Sequence, residues 1–270
     1  MNNVPFVQFI DLSFTYPSGE NPVYEGFSGT LPSGFVSLLG PNGSGKSTLM
    51  LLAAGRLIPQ KGNVLLFGRD TKSFRDEDER NAYASFVYQN MEFETGESLG
   101  ELLEYIYDQG KPAEETDNQK QAFLSQVESA FQLTKLKNKS LSKLSKGQMQ
   151  QTLMAFSVLY GSQSIFMDEP VFAMEEYQKE LALDFLRDYQ KRKNVTIYLS
   201  LHQLELTRKY AGTVILIGSG RDIEIGSPAE IITPESLEKA YGVPAAMLKE
   251  KEFLDRKKLE EEADLFKSGN

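Results

Sequence analysis

Gly40-Pro-Asn-Gly-Ser-Gly-Lys46-Ser47-Thr48 decides the reading of this chain. It matches GxxxxGK followed by Ser or Thr, the pattern of a phosphate-binding loop. A phosphate chain carries dense negative charge, so its site needs several donors brought close without side chains in the way. Gly40, Gly43 and Gly45 permit that approach and the backbone torsions it requires. The amides of Gly43 through Ser47 can then converge on an anion, backed by the positive end of the helix that follows. Lys46 adds a mobile cation for the β- and γ-phosphates, and Ser47 offers a hydroxyl to Mg²⁺. Pro41, Asn42, Ser44 and Thr48 complete the loop. The pattern carries weight only between a strand and a helix. Gly34-Phe-Val-Ser-Leu-Leu39 is a short apolar run that reads as a buried strand, and 47–57 has helical composition. A nucleoside triphosphate is the ligand this loop predicts.

The stretches on either side give the fold class. Residues 7–16, Val-Gln-Phe-Ile-Asp-Leu-Ser-Phe-Thr-Tyr, mix β-branched and aromatic residues with alternation and read as a strand, followed by turn residues at 17–22. Residues 63–67 and 84–88 read as further strands. From about 97 to 162 the character changes. Apolar residues recur at helical spacing over 99–107, 119–133 and 146–160, divided by polar breaks such as Gly110-Lys-Pro112. Strands resume at 164–167, 195–199 and 213–217, with a helix expected over 174–192. Short apolar strands alternating with helices predict an α/β fold with a mainly parallel sheet covered on both faces and a helical insertion.

Ser164-Ile-Phe-Met-Asp168-Glu169 is an apolar strand that delivers two acids at its end. Such an ending is common by itself and gains meaning from the phosphate loop upstream. One carboxylate can hold Mg²⁺, usually through water, while the other faces an attacking water. Asp168 is assigned the metal role, and Glu169 the base or water-positioning role.

Composition narrows the setting. A chain of 270 residues suits one large α/β unit. No apolar run approaches the ~20 residues that span a bilayer, and Met1-Asn-Asn-Val-Pro lacks the basic and apolar segments of a secretory signal. A cytoplasmic location is the default expectation. The absence of cysteine removes disulfide and thiolate chemistry. A formal net charge of −9 suits the chain poorly to displacing counterions from nucleic acid, so no nucleic-acid partner is expected. Residues 248–267, rich in Lys, Glu and Asp, read as a solvated terminal helix.

Leu144-Ser145-Lys146-Gly147-Gln148 separates this chain from other phosphate-loop proteins. It opens the helix over 146–160, with Ser145 placed as its cap, and resembles the LSGGQ signature of ABC ATPases. The order of elements is also similar to that family over roughly 5–245. Tyr16 lies where the family has the aromatic that stacks on adenine, Gln89 where it has the Q-loop glutamine, and His202 where it has the switch histidine. The resemblance implies one ATPase domain over 1–245 with a helical subdomain at about 92–162, an N-terminal antiparallel β region, and a separate charged tail at 246–270. It implies ATP and Mg²⁺ as cofactors, with Lys46, Gln89, Glu169 and His202 at the chemistry and Gln89 joining Ser47 and Asp168 at the metal. It also implies a head-to-tail pair in which Ser145, Gly147 and Gln148 contact ATP bound by the other copy. From the cytoplasmic face of the membrane, closure and opening of that pair would drive a transmembrane permease, with a substrate-binding protein reached through the permease.

Three departures stand out. Lys146 replaces the signature's first glycine, and Gly161-Ser-Gln-Ser differs from the usual stretch before the second acidic strand. Pro170-Val-Phe-Ala-Met-Glu175 replaces the usual Thr-Ser-Ala-Leu-Asp ending, putting Phe172 and Glu175 where coupling between the two sites is expected. Hydrolysis that survives but runs slowly without the partner is the expectation. Ile231-Ile-Thr-Pro-Glu-Ser-Leu-Glu-Lys-Ala-Tyr-Gly-Val243 resembles the closing segment of importer ATPases for iron chelates, haem and cobalamin, though Thr233, Pro234 and Gly242 also make it a plain capped helix. Import is therefore favoured over an exporter or a lipid or lipoprotein extractor. A DNA-repair or translation ATPase fits least, since the chain has one cassette, no long coiled-coil insert and an acidic balance.

Overall fold

The computed structural model describes residues 6–88, 95–110 and 116–248, so Gln89 and the charged tail lie outside the described residues. Two sheets organise the chain. The first is antiparallel, in the order β2-β1-β4-β5, built from β1 (Val7–Phe14), β2 (Tyr24–Leu31), β4 (Lys61–Leu66) and the short β5 (Arg69–Asp70). The second has the order β10-β9-β3-β8-β7-β6. In it β3 (Phe35–Leu39), β6 (Ala84–Val87), β7 (Ser164–Asp168), β8 (Thr196–Ser200) and β9 (Thr213–Ile217) are parallel, and only the edge strand β10 (Ile223–Gly226) is reversed. The α/β class and the antiparallel N-terminal region are as expected.

Alternation along the parallel strands explains why the sheet is buried on both sides. Val36, Leu38, Phe166 and Tyr198 turn one way and pack with Phe9 and Leu12 of the first sheet and with Leu49, Met50, Leu52 and Ala53 of α1 (Lys46–Ala53). An eight-residue helix does not persist alone in water. Burial at roughly 1.5–3 kcal/mol per fully enclosed leucine or methionine is what holds α1 behind the loop that precedes it. Ile165, Met167, Ile197 and Leu199 turn the other way. They meet α3 (Leu99–Gly110), α4 (Asp117–Ala130), α5 (Lys146–Tyr160) and α6 (Glu176–Lys193) through Leu103, Leu124, Val158 and Leu183. A third cluster joins Leu39, Val214 and Leu216 to Ile231 of α8 (Pro228–Ile231) and Leu237 and Tyr241 of α9 (Pro234–Tyr241). The short α2 (Glu77–Tyr83) and α7 (Leu204–Tyr210) are connectors.

Local chemistry sets the ends. α5 starts where Gln148 N–H donates to Ser145 Oγ at 3.3 Å and Ser145 N–H donates to Gln148 Oε1 at 3.1 Å, and it stops at Gly161 in the left-handed region. Thr233 Oγ1 accepts from Ser236 N–H and Gly242 closes α9, as the sequence indicated. Elsewhere the bounds differ. The helix expected over 119–133 ends at Ala130 because Gln132 takes a positive φ of 56°, and the one expected to 57 ends at Ala53, shortly before Gly55 turns to φ 68°. The strand expected over 195–199 lies one residue later, as Thr196–Ser200. Among the described residues no helix is long and apolar enough to cross a membrane.

Candidate nucleotide site

The loop 40–48 leaves the end of β3 and enters α1, and its glycines are required one by one. Gly40, at φ 143°, passes so close to β9 that a Cβ would stand 2.2 Å from the Ile217 carbonyl oxygen. Gly45, at φ 102°, would put a Cβ 2.8 Å from Tyr24 Oη. Gly43 has open space and is needed for its φ of 78° alone. Lys46 is buried, and its Nζ donates to the carbonyls of Gly40 at 2.8 Å and Pro41 at 3.0 Å, holding the loop closed on itself. One detail differs from the sequence reading. The Ser44 amide donates to the Pro41 carbonyl at 3.2 Å, so not every amide from Gly43 to Ser47 is turned to an anion.

The loop fits a polyanion on its own chemistry. α1 has no side-chain cap and no acidic residue in its first turn, which leaves the positive end of the helix uncompensated. Ser44 Oγ is buried and has no hydrogen-bond partner among the described residues. The buried Lys46 ammonium adds positive charge beside this hydroxyl. For a divalent cation the nearby hard oxygens are the exposed Ser47 hydroxyl and the Asp168 carboxylate. Among the described residues no group of three or more His, Cys, Asp or Glu gathers as a cage. An ion here would complete its shell with phosphate oxygens and water, as Mg²⁺ does.

Three tyrosine hydroxyls bracket the loop. Tyr16 Oη lies 3.1 Å from Thr48 Oγ1, with its ring edge-on to Phe14 and part of its surface exposed. Tyr24 Oη donates to the Gly45 carbonyl at 3.1 Å, and burial pushes this phenol's pKa well up, so it remains a donor. Tyr241 Oη accepts from the Gly40 amide at 3.2 Å. Only Tyr16 was expected here.

The strand order brings the acids to the loop. β8 lies between β3 and β7, with Leu38 opposite Ser200 and Ser200 opposite Asp168. Three carboxyl ends therefore open at one edge of the sheet, the place where open α/β sheets hold ligands. Ser200 Oγ donates to Asp168 Oδ1 at 2.5 Å and accepts from the Glu169 amide at 2.8 Å. Glu169 takes φ 48°, uncommon for a side chain of this size, and its Oε1 lies 2.5 Å from Nε2 of His202, which follows β8. Asp168, Glu169 and His202 are all half-buried.

Ser145 and Lys146 are exposed at the start of α5, away from this edge in their partners. The hydrogen bonds and close approaches of Ser145, Gly147 and Gln148 run to one another, to Thr152 and to the loop after β7. A Cβ on Gly147 would stand 2.4 Å from the Ala173 carbonyl oxygen. Gln150 secures the same junction, with Nε2 donating to the Glu169 carbonyl at 3.4 Å and Oε1 accepting from the Ala173 amide at 3.0 Å. Val171 and Met174 bury themselves in the helical core, and Glu175 caps α6 in an exposed position. Thus 40–48, Tyr16, Asp168, Glu169 and His202 gather at the carboxyl ends of the central strands, and among the described residues no hydrogen bond joins Ser145, Gly147 or Gln148 to them.

Ser200, Tyr24, Gln150 and Tyr241 were not singled out from the sequence. Ser200 had a signal, a polar residue ending the apolar run Ile-Tyr-Leu; the other three act across distant parts of the chain and had none.

The ABC transporter family model matches residues 24–172. The energy-coupling factor transporter ATP-binding protein EcfA of Methanocaldococcus jannaschii is 31% identical over 242 residues, spanning 87% of this chain and 84% of the relative. The hemin import ATP-binding protein HmuV of Idiomarina loihiensis is 28% identical over 227 residues, spanning 82% of this chain and 85% of the relative. Among solved structures, a dimeric post-hydrolysis state of an ATP-binding cassette bound to ADP and Pi matches with a TM-score of 0.70 at 21% identity, covering 82% of this chain and 98% of that one. A family model covering more than half of the sequence, and relatives of this likeness over most of its length, make the assignment: the chain belongs to the ABC transporter family as an ATP-binding subunit, and is an ATPase.

Proposed function

We propose that this ATPase works as a head-to-tail pair that drives a separate membrane permease, importing a metal chelate, haem or cobalamin. The observation that carries the pairing is the separation just described. Each copy holds the phosphate loop, Asp168, Glu169 and His202 at one sheet edge, while its own Ser145–Gln148 segment is exposed at Ser145 and Lys146 and bonded elsewhere. A second copy supplies that edge to the first copy's nucleotide, with the N-terminal amides of α5 aimed at the γ-phosphate.

In this reading the loop amides from Gly43 to Ser47 other than that of Ser44, the Ser44 hydroxyl and Lys46 bind the ATP phosphates, and Tyr16 stacks on the adenine. Ser47 and Asp168 hold Mg²⁺, which when bound neutralises charge on the phosphates. Gln89 belongs to the same constellation by its place in the sequence and lies outside the described residues. Glu169 orients the attacking water and takes its proton, with His202 fixing the carboxylate through the 2.5 Å contact. Residues 1–245 act as the ATPase domain with the insertion at about 92–162 meeting the permease, and 246–270 as an appended tail. The subunit sits on the cytoplasmic face of the membrane, and no nucleic acid takes part.

Import is supported by the Thr233-to-Val243 segment and by the hemin-import name of the Idiomarina relative. Reconstitution with the cognate permease in proteoliposomes tests it. ATP-driven accumulation of haem, cobalamin or a ferric chelate, in the direction from binding protein to ATPase side, is expected. Extrusion or lipid extraction instead would replace importer with exporter or extractor.

A further inference from the structure

The nucleotide loop begins at Gly40, and this residue's amide has an unusual partner for so short a loop. It donates to Tyr241 Oη, 201 residues later in the chain. Tyr241 is 7% exposed and is the last residue of α9. Its ring packs in the cluster that contains Leu39, the residue immediately before Gly40. Around it the fit is tight. Gly40 runs close along β9, where an added Cβ would stand 2.2 Å from the Ile217 carbonyl oxygen. The Ala240 carbonyl is fixed by accepting from the Ser219 amide at 3.0 Å, just past the end of β9. Thr233 and Gly242 cap the two ends of α9, so the tyrosine is carried on a short, fully terminated helix.

We propose that Tyr241 is a positioning residue for nucleotide binding, and that the C-terminal α9 unit acts on the phosphate loop through this single hydroxyl. By taking the Gly40 N–H, the phenol fixes the first peptide of the loop. That peptide, Leu39–Gly40, is the anchor from which the chain runs on to the Gly40 and Pro41 carbonyls, which accept from Lys46 Nζ. The ammonium that meets the phosphates is thus oriented from the far end of the chain. A buried peptide N–H left without an acceptor reorients toward another one, which in this loop means displacing the Lys46 cradle. The effect falls on ATP affinity and not on the hydrolytic step, since Asp168, Glu169 and His202 are held by β7 and β8. The inference rests on reading 40–48 as the phosphate-binding loop.

The test uses the full-length chain with Tyr241→Phe, which keeps the ring and removes the hydroxyl. Its affinity for Mg-ATP should fall about tenfold, the size of one lost buried hydrogen bond, with kcat at saturating ATP within about twofold of the parent. Leu237→Ala, in the same cluster and with a side chain that cannot hydrogen-bond the loop, serves as the control for loosened packing. It should lower the melting temperature while leaving Mg-ATP affinity near the parent's. Unchanged affinity in Tyr241→Phe, equal loss of affinity in both variants, or a fall in kcat with affinity intact would each overturn the proposal. Lys46→Ala, measured alongside, separates the two readings: if it too binds Mg-ATP normally, the assignment of the loop fails and not merely that of Tyr241.

Discussion

Nε2 of His202 stands 2.5 Å from Oε1 of Glu169, at the ends of two strands that are neighbours in the sheet and 33 residues apart in the chain. The contact fixes a carboxylate whose own backbone is held in the left-handed region. For the proposed role of orienting a water, being held in this way is a gain, because a carboxylate free to rotate spends little time aimed at the reacting atoms.

Replacement of that carboxylate is accordingly the sharpest test of the chemistry. Glu169→Gln keeps the size and shape and removes the proposed base. Binding of Mg-ATP should be retained, while steady-state phosphate release drops by about 100-fold or more, in the range that general-base removal gives. An ATP-bound dimer should accumulate, visible as a shift in sedimentation that depends on ATP. Normal turnover in this variant would show that the water is positioned by another group.

Ser200 is the residue through which β8 touches both acids. Its hydroxyl donates to Asp168 and accepts from the Glu169 amide, and the side chain is fully buried. Ser200→Ala leaves the Glu169 N–H without this acceptor and frees a backbone that sits at φ 48°. A cost of about 1–3 kcal/mol follows for the buried amide, and kcat should fall about tenfold or more as Glu169 relaxes from its position. Affinity for ATP, which rests on the loop 40–48, should change far less. Calorimetry for nucleotide binding and a coupled assay for turnover separate the two effects.

What could be read in the sequence was what short-range chemistry dictates. Glycine torsions marked the loop at 40–48, and Ser145, read as a cap, marked the start of α5 at its first residue. Strands β3, β7 and β9 announced themselves as apolar runs because both faces are covered. The rest was hidden for physical reasons. β2 (Tyr24–Leu31) carries Glu, Gly, Ser and Thr on a largely exposed surface, with burial only at its two ends, so no alternation betrays it. α2 buries none of its residues and shows no apolar stripe. Strand order was not readable at all, and without it nothing linked Ser200 to Asp168 or Tyr241 to Gly40. The proposed pair, by contrast, was suggested only by resemblance; the residues by themselves marked a helix start and nothing beyond it.

The junction between α5 and the loop after β7 permits a test that distinguishes the two halves of the proposed site. Gly147 lies against Ala173, where any Cβ would come within 2.4 Å of a backbone oxygen, a distance that real contacts do not show. Gly147→Ala must therefore displace either the start of α5 or residues 173–174, and the latter are anchored by Met174 in the core and by Gln150 on the Ala173 amide. The helix start is the part that yields, tilting the Ser145–Gln148 edge. The phosphate loop leads into α1, which packs on the opposite face of the sheet from α5, and takes no part in this junction. Binding of ATP to the isolated subunit should stay near the parent's, while ATP-dependent dimerisation, followed by light scattering, weakens by at least about tenfold and hydrolysis falls with it. If the variant lost ATP binding while still monomeric, the signature edge would be acting within its own copy, and the head-to-tail arrangement would be wrong.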